Sequence, residues 1–526
     1  MSTSGLLAGI MSGAGVNPGP DQVIDFQITN PAMVPAGTYP LVIKISDAIN
    51  SAQITVPVTV AIAASVQATS SLHSDMFMST SFQPADWDYQ FFQTNTTARM
   101  QALNDLGSKH INLQPMDGAT DNLNPAQAGP LDFTKMDAIV QPVLQVTDQS
   151  PLLQLYAPAW MWVNQNPANA LVDPTFNQFA DWAAMMVRYY NVPGGFTRNG
   201  VTYASAAGHP ITWWGIFNEP NLTSITPQQY VQLYNLTAQK MLAVDPTIKL
   251  VGVELSDWGN EPQRFLPPFV AGVTQPVDAL ATHYYGTCNQ RDTDQQLFNS
   301  VQMFHDHVVY FHQQMALNPS LTSLPVWVTE NNVNADFNSN GKSACNPTQN
   351  FVADPRGSSA YFAAWRPLVF SQLVQAGASS IHHWDYDADQ QYGEVDFNTG
   401  ATQLSYWVDY WLDRYMTDPL GVDVLPITST QASTVETMAV RRPDASVVVM
   451  VANYALASGT DNNGVGAPRT ITIDTSPLGT FHSATSLSIN AQTSATTGPV
   501  ETTITPAAKL TVQLNGYGVT FLKLVP

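Results

Sequence analysis

From Ser81 to about Met416, short apolar runs alternate with amphipathic stretches of helical period, and this alternation constrains the fold more than any other feature. Apolar runs of this length suit buried strands, whereas the stretches between them repeat their apolar residues every three to four positions. Strands that alternate with helices favour a parallel sheet, because each helix returns the chain to the same edge. The pattern predicts a (β/α)8 TIM barrel, with a doubly wound open sheet as the alternative.

Eight strands and six helices are predicted in this region and just before it. The predicted strands are Phe77–Phe82, Ile111–Leu113, Leu152–Tyr156, Ile211–Phe217, Lys249–Val253, Ala279–His283, Val326–Thr329 and Ser380–Trp384. The predicted helices are Thr94–Leu106, Lys135–Val146, Phe176–Tyr190, Pro227–Val244, Leu297–Ala316 and Gly357–Gln375. No glycine-rich phosphate loop follows the first strand, which counts against a nucleotide-binding open sheet.

Two regions with strand-like alternation flank the predicted barrel. Before it, alternation predicts strands, the last of which resembles the closing strand of an immunoglobulin-like module; these strands are Asp21–Thr29, Gly37–Ser46 and Gln53–Ile62. About 45 residues are few for a complete sandwich of that kind, so these strands form either a partial module or part of another sheet. The chain is thus divided into an N-terminal β segment (1–66), the barrel (72–416) and a C-terminal β-sandwich (417–526).

Charge and composition exclude several classes of function. The 526-residue chain has 19 Lys and Arg against 40 Asp and Glu, a net charge of −21, so few cations are available for a face that binds nucleic acid. No apolar run reaches the roughly 20 residues of a membrane span. Charged residues are only 11% of the chain, and polar uncharged residues are abundant. This composition favours a secreted, periplasmic or cell-surface protein.

The strongest local signal lies at the end of the fourth predicted strand, in the sequence WWGIFNEPN (213–221). An apolar strand there ends in an amide, a carboxylate and a proline. The active site of a parallel barrel lies at the carboxyl ends of its strands, where aromatic neighbours would partly desolvate Glu219, as suits a proton donor. The alternative is a glutamate in an ordinary surface loop.

The seventh predicted strand also ends in a glutamate, Glu330, within LPVWVTEN (324–331). Both strand ends face one rim of the predicted barrel. Glycoside hydrolysis requires two such carboxylates, one as the acid and one as the base or nucleophile. A retaining mechanism places them roughly 5–5.5 Å apart and an inverting one leaves room for water. The sequence leaves that distance open.

This paired signature resembles the clan A glycoside hydrolases, whose barrels carry Asn-Glu-Pro after strand four and a glutamate after strand seven. The form NEPNL (218–222) is most similar to glycoside hydrolase family 39, together with LGSKHI (106–111), VDP (244–246) and HYYG (283–286). The resemblance extends over roughly residues 72–526. It implies retention of configuration, with Glu219 as acid/base, Glu330 as nucleophile and Asn218 bonded to the 2-hydroxyl of the reacting sugar.

Further candidate site residues follow from strand geometry and from sugar chemistry. His283 and Tyr285 are two positions apart on the sixth predicted strand and share a face. If that face lines the pocket, Tyr285 orients Glu330 and His283 binds substrate or the carboxylates; otherwise His283 is a hydrogen-bonded core residue. Trp384 and Trp160, after the eighth and third strands, are predicted sugar platforms, because sugar rings pack apolar C–H faces on aromatic rings. The alternative for Trp384 is a core tryptophan.

The two cysteines, Cys288 and Cys345, follow the sixth and seventh predicted strands. Both lie on the predicted rim, so a disulfide is expected in an exported protein, with two separate thiols as the alternative. Four aspartates near the eighth strand partly match a calcium loop but lack its glycine and its final glutamate; they are Asp385, Asp387, Asp389 and Asp396. We therefore expect no metal and no cofactor.

Together these features predict a retaining glycoside hydrolase that acts on an oligo- or polysaccharide. Basic residues that would pair with a sugar carboxylate are scarce in the predicted rim loops; the candidates are Arg264, Arg291, Lys342 and Arg356. Their scarcity favours a neutral glycan such as a β-xyloside, cleaved from the chain end. The alternatives are an endo-acting polysaccharide hydrolase of the same clan and a non-catalytic carbohydrate-binding surface protein.

Overall fold

A computed structural model describes most of the chain after residue 61 and separate backbone segments before it. The described residues are 2–4, 11–12, 27–28, 37–46, 51–60, 62–70, 72–83, 90–94, 96–116, 118–164, 170–256, 259–387, 391–430 and 434–526. Most of the predicted strand Asp21–Thr29, and Asp389 of the partial calcium loop, lie outside these residues.

Eight parallel strands close into a barrel, which confirms the predicted fold class. They are β1 (Phe77–Phe82), β2 (Asn112–Leu113), β3 (Leu152–Gln154), β4 (Trp213–Gly215), β5 (Lys249–Ser256), β6 (Ala279–Thr287), β7 (Val326–Asn334) and β8 (Ser380–His383). Neighbours follow chain order, and β8 pairs with β1. The interior at the amino ends is filled by Leu152, Val251, Ala279, Ala281 and Trp327. The barrel is therefore a packed core that opens only at the carboxyl ends of its strands.

Eight helices accompany the strands in the described part of the chain. They are α1 (Thr96–Leu106), α2 (Thr134–Val143), α3 (Asn177–Asn191), α4 (Pro227–Leu242), α5 (Glu261–Gly272), α6 (Asp294–Met315), α7 (Ala360–Ala376) and α8 (Leu404–Met416). Helix α5 was not predicted, because the prolines inside it at 267 and 268 oppose a helix. Helix α8 was not predicted either, because it is rich in Trp and Tyr of modest helix propensity. Among the described residues no helix is both long and apolar enough to cross a bilayer.

In the described residues after the barrel, nine strands belong to the C-terminal β-sandwich. They are β9 (Val422–Leu425), β10 (Ile427–Ser429), β11 (Val435–Arg441), β12 (Val447–Asn453), β13 (Arg469–Asp474), β14 (Ser483–Asn490), β15 (Thr502–Ile504), β16 (Lys509–Leu514) and β17 (Gly518–Val525). The larger sheet runs β15-β14-β17-β12-β11-β9, and the smaller one contains β10, β13 and β16.

Two strands that precede the barrel in sequence complete these sheets. Leu72–Ser74 pairs with β9, and Ile62–Val66 lies between β10 and β13. The inward residues of Ile62–Val66 are buried in the sandwich core because the strand alternates with a period of two. The strand that joins the sandwich thus begins at the last residue of the predicted strand Gln53–Ile62, most of which lies in the strand Ser51–Val60. Upstream, Gly37–Ser46 and Ser51–Val60 pair as antiparallel strands, and the domain bounds and the partial immunoglobulin-like module stay predictions.

Helix α7 joins the barrel to the sandwich. It contacts β11, β12 and β17 on one side and α6 and α8 on the other. Almost all of its side chains are buried, including Arg366, so the helix has no polar face of the kind that a surface helix presents. Helix α7 is therefore packed between the barrel helices and the C-terminal sheet.

Candidate active site

Glu219 stands on a tight turn just beyond β4. The backbone takes positive φ values at Phe217 (70°) and at Glu219 (46°), a conformation that residues with a side chain rarely adopt. Pro220 then begins a short 3-10 helix, Pro220–Leu222. The side chain of Glu219 is 21% exposed, so the turn lifts its carboxylate to the open end of the barrel.

Glu330 lies inside β7, which continues four residues beyond it to Asn334. Its side chain is only 6% exposed. The Tyr285 hydroxyl donates a hydrogen bond of 2.6 Å to Glu330 Oε2. This contact holds one carboxylate oxygen in place and leaves the other facing the neighbouring groups.

His283 joins the two glutamates. Its Nδ1 lies 3.0 Å from Glu219 Oε1 and 3.4 Å from Glu330 Oε1. One oxygen from each carboxylate and one nitrogen of the ring all lie within 4.8 Å of one another. The structure thus brings four predicted site residues together: Glu219, Glu330, His283 and Tyr285.

The titration of these groups reflects burial and mutual charge. Burial raises the pKa of Glu330 to about 8; the His283 cation opposes the rise, and the Glu219 and Glu254 carboxylates add to it. Burial would lower the pKa of His283, but the Glu330, Glu219 and Glu254 carboxylates outweigh it and raise that pKa well above its usual value. Burial and Glu330 also raise the pKa of Tyr285, so its phenol stays a donor.

Asn218 is buried beside Glu219 and is held by two polar residues that the sequence analysis did not select. Gln154 Nε2 donates to the Asn218 side-chain oxygen, and Asn112 Nδ2 donates to Gln154 Oε1 at 2.9 Å. Both residues lie at the ends of barrel strands, Asn112 in β2 and Gln154 in β3. In the sequence both stand inside predicted strands, Asn112 within Ile111–Leu113 and Gln154 within Leu152–Tyr156, so neither carried the strand-end signal that marked Glu219.

A third carboxylate, Glu254, was also missed. It lies in β5 with no exposed surface, and its Oε2 is 3.5 Å from His283 Nε2. Thr329 donates a hydrogen bond of 2.7 Å to the same oxygen. A single glutamate within the apolar run KLVGVEL (249–255) was its only mark in the sequence.

The two predicted sugar platforms lie near the open end of the barrel. Trp384 follows β8 and is partly buried, and its backbone N–H donates to the Asn331 carbonyl at 3.2 Å. Trp160 lies in the 3-10 helix Ala159–Met161 and packs against the main core. Its indole N–H has no hydrogen-bond partner among the described residues. Neither contact tests stacking on a sugar, so both roles stay predictions.

Cys288 and Cys345 are joined as a disulfide, with their Cα atoms 5.9 Å apart. The bond links the loop after β6 to the loop after β7, next to a cavity of about 200 Å³ lined mostly by polar side chains. In the partial calcium loop, the backbone N–H and the hydroxyl of Thr399 both donate hydrogen bonds to Asp396 Oδ1, each at 2.7 Å. None of its described aspartates belongs to a cluster of convergent metal-ligand atoms.

Sequence comparison places a match on the part of the chain that carries the site. Residues 194–355 match a family described as "Glycosyl hydrolase catalytic core", a span that includes Glu219, His283, Tyr285 and Glu330. No curated protein matches the chain.

Solved structures with similar folds cover most of the chain. A monomeric β-xylosidase from Caulobacter crescentus CB15 has a TM-score of 0.61 at 14% identity, over 88% of this chain and 99% of the other. A GH39 enzyme from Xanthomonas axonopodis pv. citri has a TM-score of 0.59 at 16% identity, over 88% and 97%. The catalytic domain of GH30 xylanase C from Talaromyces cellulolyticus has a TM-score of 0.56 at 14% identity, over 88% and 100%. At these identities the likeness shows a shared fold.

Proposed function

We propose that this chain, a glycoside hydrolase by its catalytic-core match, cleaves a neutral glycan with retention of configuration. The observation that carries the proposal is the separation of the two carboxylates, whose nearest oxygens lie within 4.8 Å. Retaining enzymes hold the two groups roughly 5–5.5 Å apart, whereas inverting enzymes need about 6.5–9.5 Å to admit a water molecule. The close pair therefore supports direct attack on the sugar by one carboxylate.

The environments of the two glutamates support different roles. In the first step, a Glu330 oxygen bonds to the anomeric carbon while Glu219 gives its proton to the departing oxygen. In the second, Glu219 takes a proton from water, the water oxygen attacks the anomeric carbon, and Glu330 leaves as a carboxylate. Glu330 is fixed by the hydrogen bond from the Tyr285 hydroxyl, as suits a nucleophile, whereas the more exposed Glu219 can meet the leaving group and water.

The charges around the pocket support an uncharged sugar. A uronate would call for Arg or Lys to pair with its carboxylate. Arg356, one of the four candidate rim bases, is buried against Asp354 at 2.6 Å and Asp294 at 3.4 Å. Arg264 pairs with Glu261 at 2.5 Å. Two of the four candidate rim bases are thus already paired with acids, and the fold shared with a β-xylosidase adds support for a β-xyloside cleaved from the chain end.

Hydrolysis of 4-nitrophenyl β-xyloside, followed by proton NMR, tests the stereochemistry. We expect the β-anomer of xylose to appear first and the α-anomer only through later mutarotation. An α-anomer as first product would refute retention. A panel of other aryl glycosides and xylo-oligosaccharides, with product analysis, then separates chain-end cleavage from internal cleavage; mixed oligosaccharides as first products would favour the endo-acting alternative.

Azide rescue assigns the two glutamates. We expect Glu330→Ala to lower kcat by roughly four orders of magnitude or more, as loss of a nucleophile does, and azide to restore turnover with an α-glycosyl azide as product. Glu219→Ala is the matched control, with a loss of about 10²–10⁴-fold and a β-glycosyl azide. Exchange of the two products between the variants would reverse the assignment.

We also propose that the protein acts outside the cytoplasm. The Cys288–Cys345 disulfide supports this location, because such bonds persist in oxidising compartments. Localisation of the natural protein by fractionation of its source cells, with mass analysis before and after reduction, tests the proposal. Recovery only from the cytoplasm, with two free thiols, would contradict it.

A further inference from the structure

Glu254 is a buried carboxylate that the proposed reaction steps do not use. It is fully enclosed beneath the catalytic pair, and its Oε1 has no hydrogen-bond donor among the described residues. A buried carboxylate without a full set of donors is costly to the fold. The presence of such a group directly beneath the catalytic pair points to a role in the reaction.

Backbone geometry turns Glu254 toward the site. The pairing of β5 with β6 shifts register between Val253 and Leu255, and Glu254 has a φ of 53°. Such a bulge re-aims the side chain of the extra residue. The Glu254 carbonyl also accepts a hydrogen bond of 2.9 Å from the Glu219 N–H. The same bulge therefore fixes the turn that carries the acid/base.

The neighbouring strand leaves room for this carboxylate. Gly215, in β4, faces Glu254, and a Cβ atom at that position would lie 2.8 Å from Glu254 Oε1. Any larger residue would therefore displace the carboxylate from beneath the ring. The pocket is shaped at both the backbone and the side-chain level for an acid at this place.

We propose that Glu254 is a positioning residue: it holds the far nitrogen of His283 so that the near nitrogen keeps its proton and serves Glu219 and Glu330 in turn. Glu254 Oε2 lies 3.5 Å from His283 Nε2, while Nδ1 lies 3.0 Å from Glu219 and 3.4 Å from Glu330. The ring thus lies between the buried acid and the catalytic pair.

The assignment rests on the proposed function, since negative charge moves between the two catalytic carboxylates during double displacement. Glu330 becomes a neutral ester in the first step, while Glu219 loses its proton and becomes charged. The second step reverses both changes. A single N–H donor within reach of both oxygens stabilises whichever carboxylate is ionised, provided that the ring keeps both of its protons through the cycle.

The charged groups around the ring favour that state. His283 faces the carboxylates of Glu219, Glu254 and Glu330, and the Tyr285 phenol lies beyond Glu330. Burial lowers the pKa of the other nearby imidazole, His382, well below its usual value, which keeps that ring neutral. Beside Glu254, burial raises the pKa of the Tyr230 phenol, which is therefore uncharged too. Glu254 supplies the only negative charge on the far side of the ring among these groups.

The test replaces Glu254 with its neutral isostere. In Glu254→Gln we expect the alkaline limb of the kcat/KM profile to move about one pH unit or more toward acid, because the ring loses a charged partner. We expect kcat to fall about tenfold to a hundredfold with little change in KM. Nitrogen NMR of histidine-labelled enzyme should show His283, assigned with His283→Asn, releasing its proton at lower pH than in the wild type.

Three further variants make the outcome decisive. Glu254→Asp keeps the charge, so the alkaline limb of its kcat/KM profile should lie close to that of the wild type. Glu436 is a remote glutamate at the contact between barrel and sandwich, and Glu436→Gln should leave the limb at its wild-type pH. If Glu254→Gln does not fold, Thr329→Val removes only the hydrogen bond to Glu254 and should shift the limb in the same direction by a smaller amount.

An unmoved limb and an unchanged His283 titration, in whichever of the two variants folds, would overturn the proposal. The NMR reading needs no substrate. Failure of the proposed function would appear separately, as wild-type protein that turns over no glycoside.

Discussion

Two buried clusters of charge lie in the same barrel and differ in their cations. The catalytic cluster consists of Glu219, Glu254, Glu330 and His283, and within the described part of the chain the ring is the only cation in contact with its acids. The strand-eight cluster, near the end of β8, consists of His383, Glu394, Asp409 and Arg366. Its Arg366 binds both oxygens of Asp409 at 2.9 Å, so its main acid is paired with a permanent charge.

The main acids of the two clusters, Asp409 and Glu330, titrate in opposite directions, although burial and Asp409 raise the pKa of Glu394 in the strand-eight cluster well above its usual value. Burial would raise the pKa of Asp409, but Arg366 and His383 lower it below its usual value. No guanidinium of the described residues pairs with Glu330, and burial raises its pKa to about 8. A carboxylate locked to arginine keeps its charge and holds the fold, whereas one that faces only histidine and other acids can change its charge during a reaction. The difference separates the structural cluster from the reactive one.

The largest effect should follow from a change in the catalytic cluster. We expect Glu330→Gln to lower kcat/KM by roughly four orders of magnitude or more, as loss of a nucleophile does, without lowering the melting temperature. The amide has nearly the same shape and carries no charge at a place where burial and two other acids disfavour one. Aryl-glycoside kinetics and calorimetry on the same sample measure both. A variant that is inactive only because it is unfolded would contradict the contrast.

The opposite pattern is expected in the strand-eight cluster. Asp409→Asn leaves the Arg366 guanidinium buried without its anion, which costs about 3–5 kcal/mol in the free energy of unfolding. The lowered pKa means that the wild-type pairing stabilises the fold above the unfolded pKa near 3.9 and is lost as pH falls through the folded value. The difference in the free energy of unfolding between variant and wild type, measured by urea unfolding, should therefore become smaller below about pH 4. A large loss of activity per folded molecule would show that this cluster also serves the reaction.

Some of this contrast is visible in the sequence and some is not. Active sites of parallel barrels lie at the carboxyl ends of the strands, and the strand period puts His283 and Tyr285 on one face. These two patterns place both residues on the same rim as Glu219 and Glu330, and the four lie close together in the structure. Glu254 could not be predicted as a site residue, because it lies in an apolar run and points inward only through a bulge that depends on the pairing of β5 with β6. The burial of Arg366 could not be predicted either, because its helix lies between two layers and has no polar face. Contacts distant in sequence, such as Ile62–Val66 with β13, are set by packing that no local pattern records.

A smaller effect is expected from the covalent brace beside the catalytic cluster. Cys288 and Cys345 enclose a separation of 57 residues, for which the chain-entropy account gives at most about 4 kcal/mol of stabilisation. The double replacement Cys288→Ser with Cys345→Ser should lower the melting temperature by several degrees. We expect it to raise KM for oligosaccharides more than for aryl glycosides, since it frees rim loops and leaves the carboxylates in place. Reduction of the wild type is the control, and equal KM changes for both substrates would contradict a role for the rim.

The smallest effect is expected at Glu436, which tests whether a raised carboxyl pKa by itself indicates a functional residue. This residue lies in β11 at the contact with α7, where the Ser371 hydroxyl donates to it at 2.5 Å, and burial raises its pKa to about 7. It has a raised pKa, as Glu330 does, but no second acid and no substrate. A carboxyl group whose folded pKa is raised stabilises the fold fully below the unfolded pKa, and this stability is lost as pH rises through the folded value.

Glu436→Gln should therefore be more stable than the wild type above pH 7, by an amount on the order of 3 kcal/mol, and the two should converge below about pH 4.5. Melting temperatures measured from pH 4 to pH 9 check this, with kcat/KM unchanged throughout. A stability difference that is constant with pH would mean that the glutamate is ionised in the fold. A fall in kcat/KM would mean that a raised carboxyl pKa marks function at both places, and the contrast drawn between paired and unpaired acids would then fail.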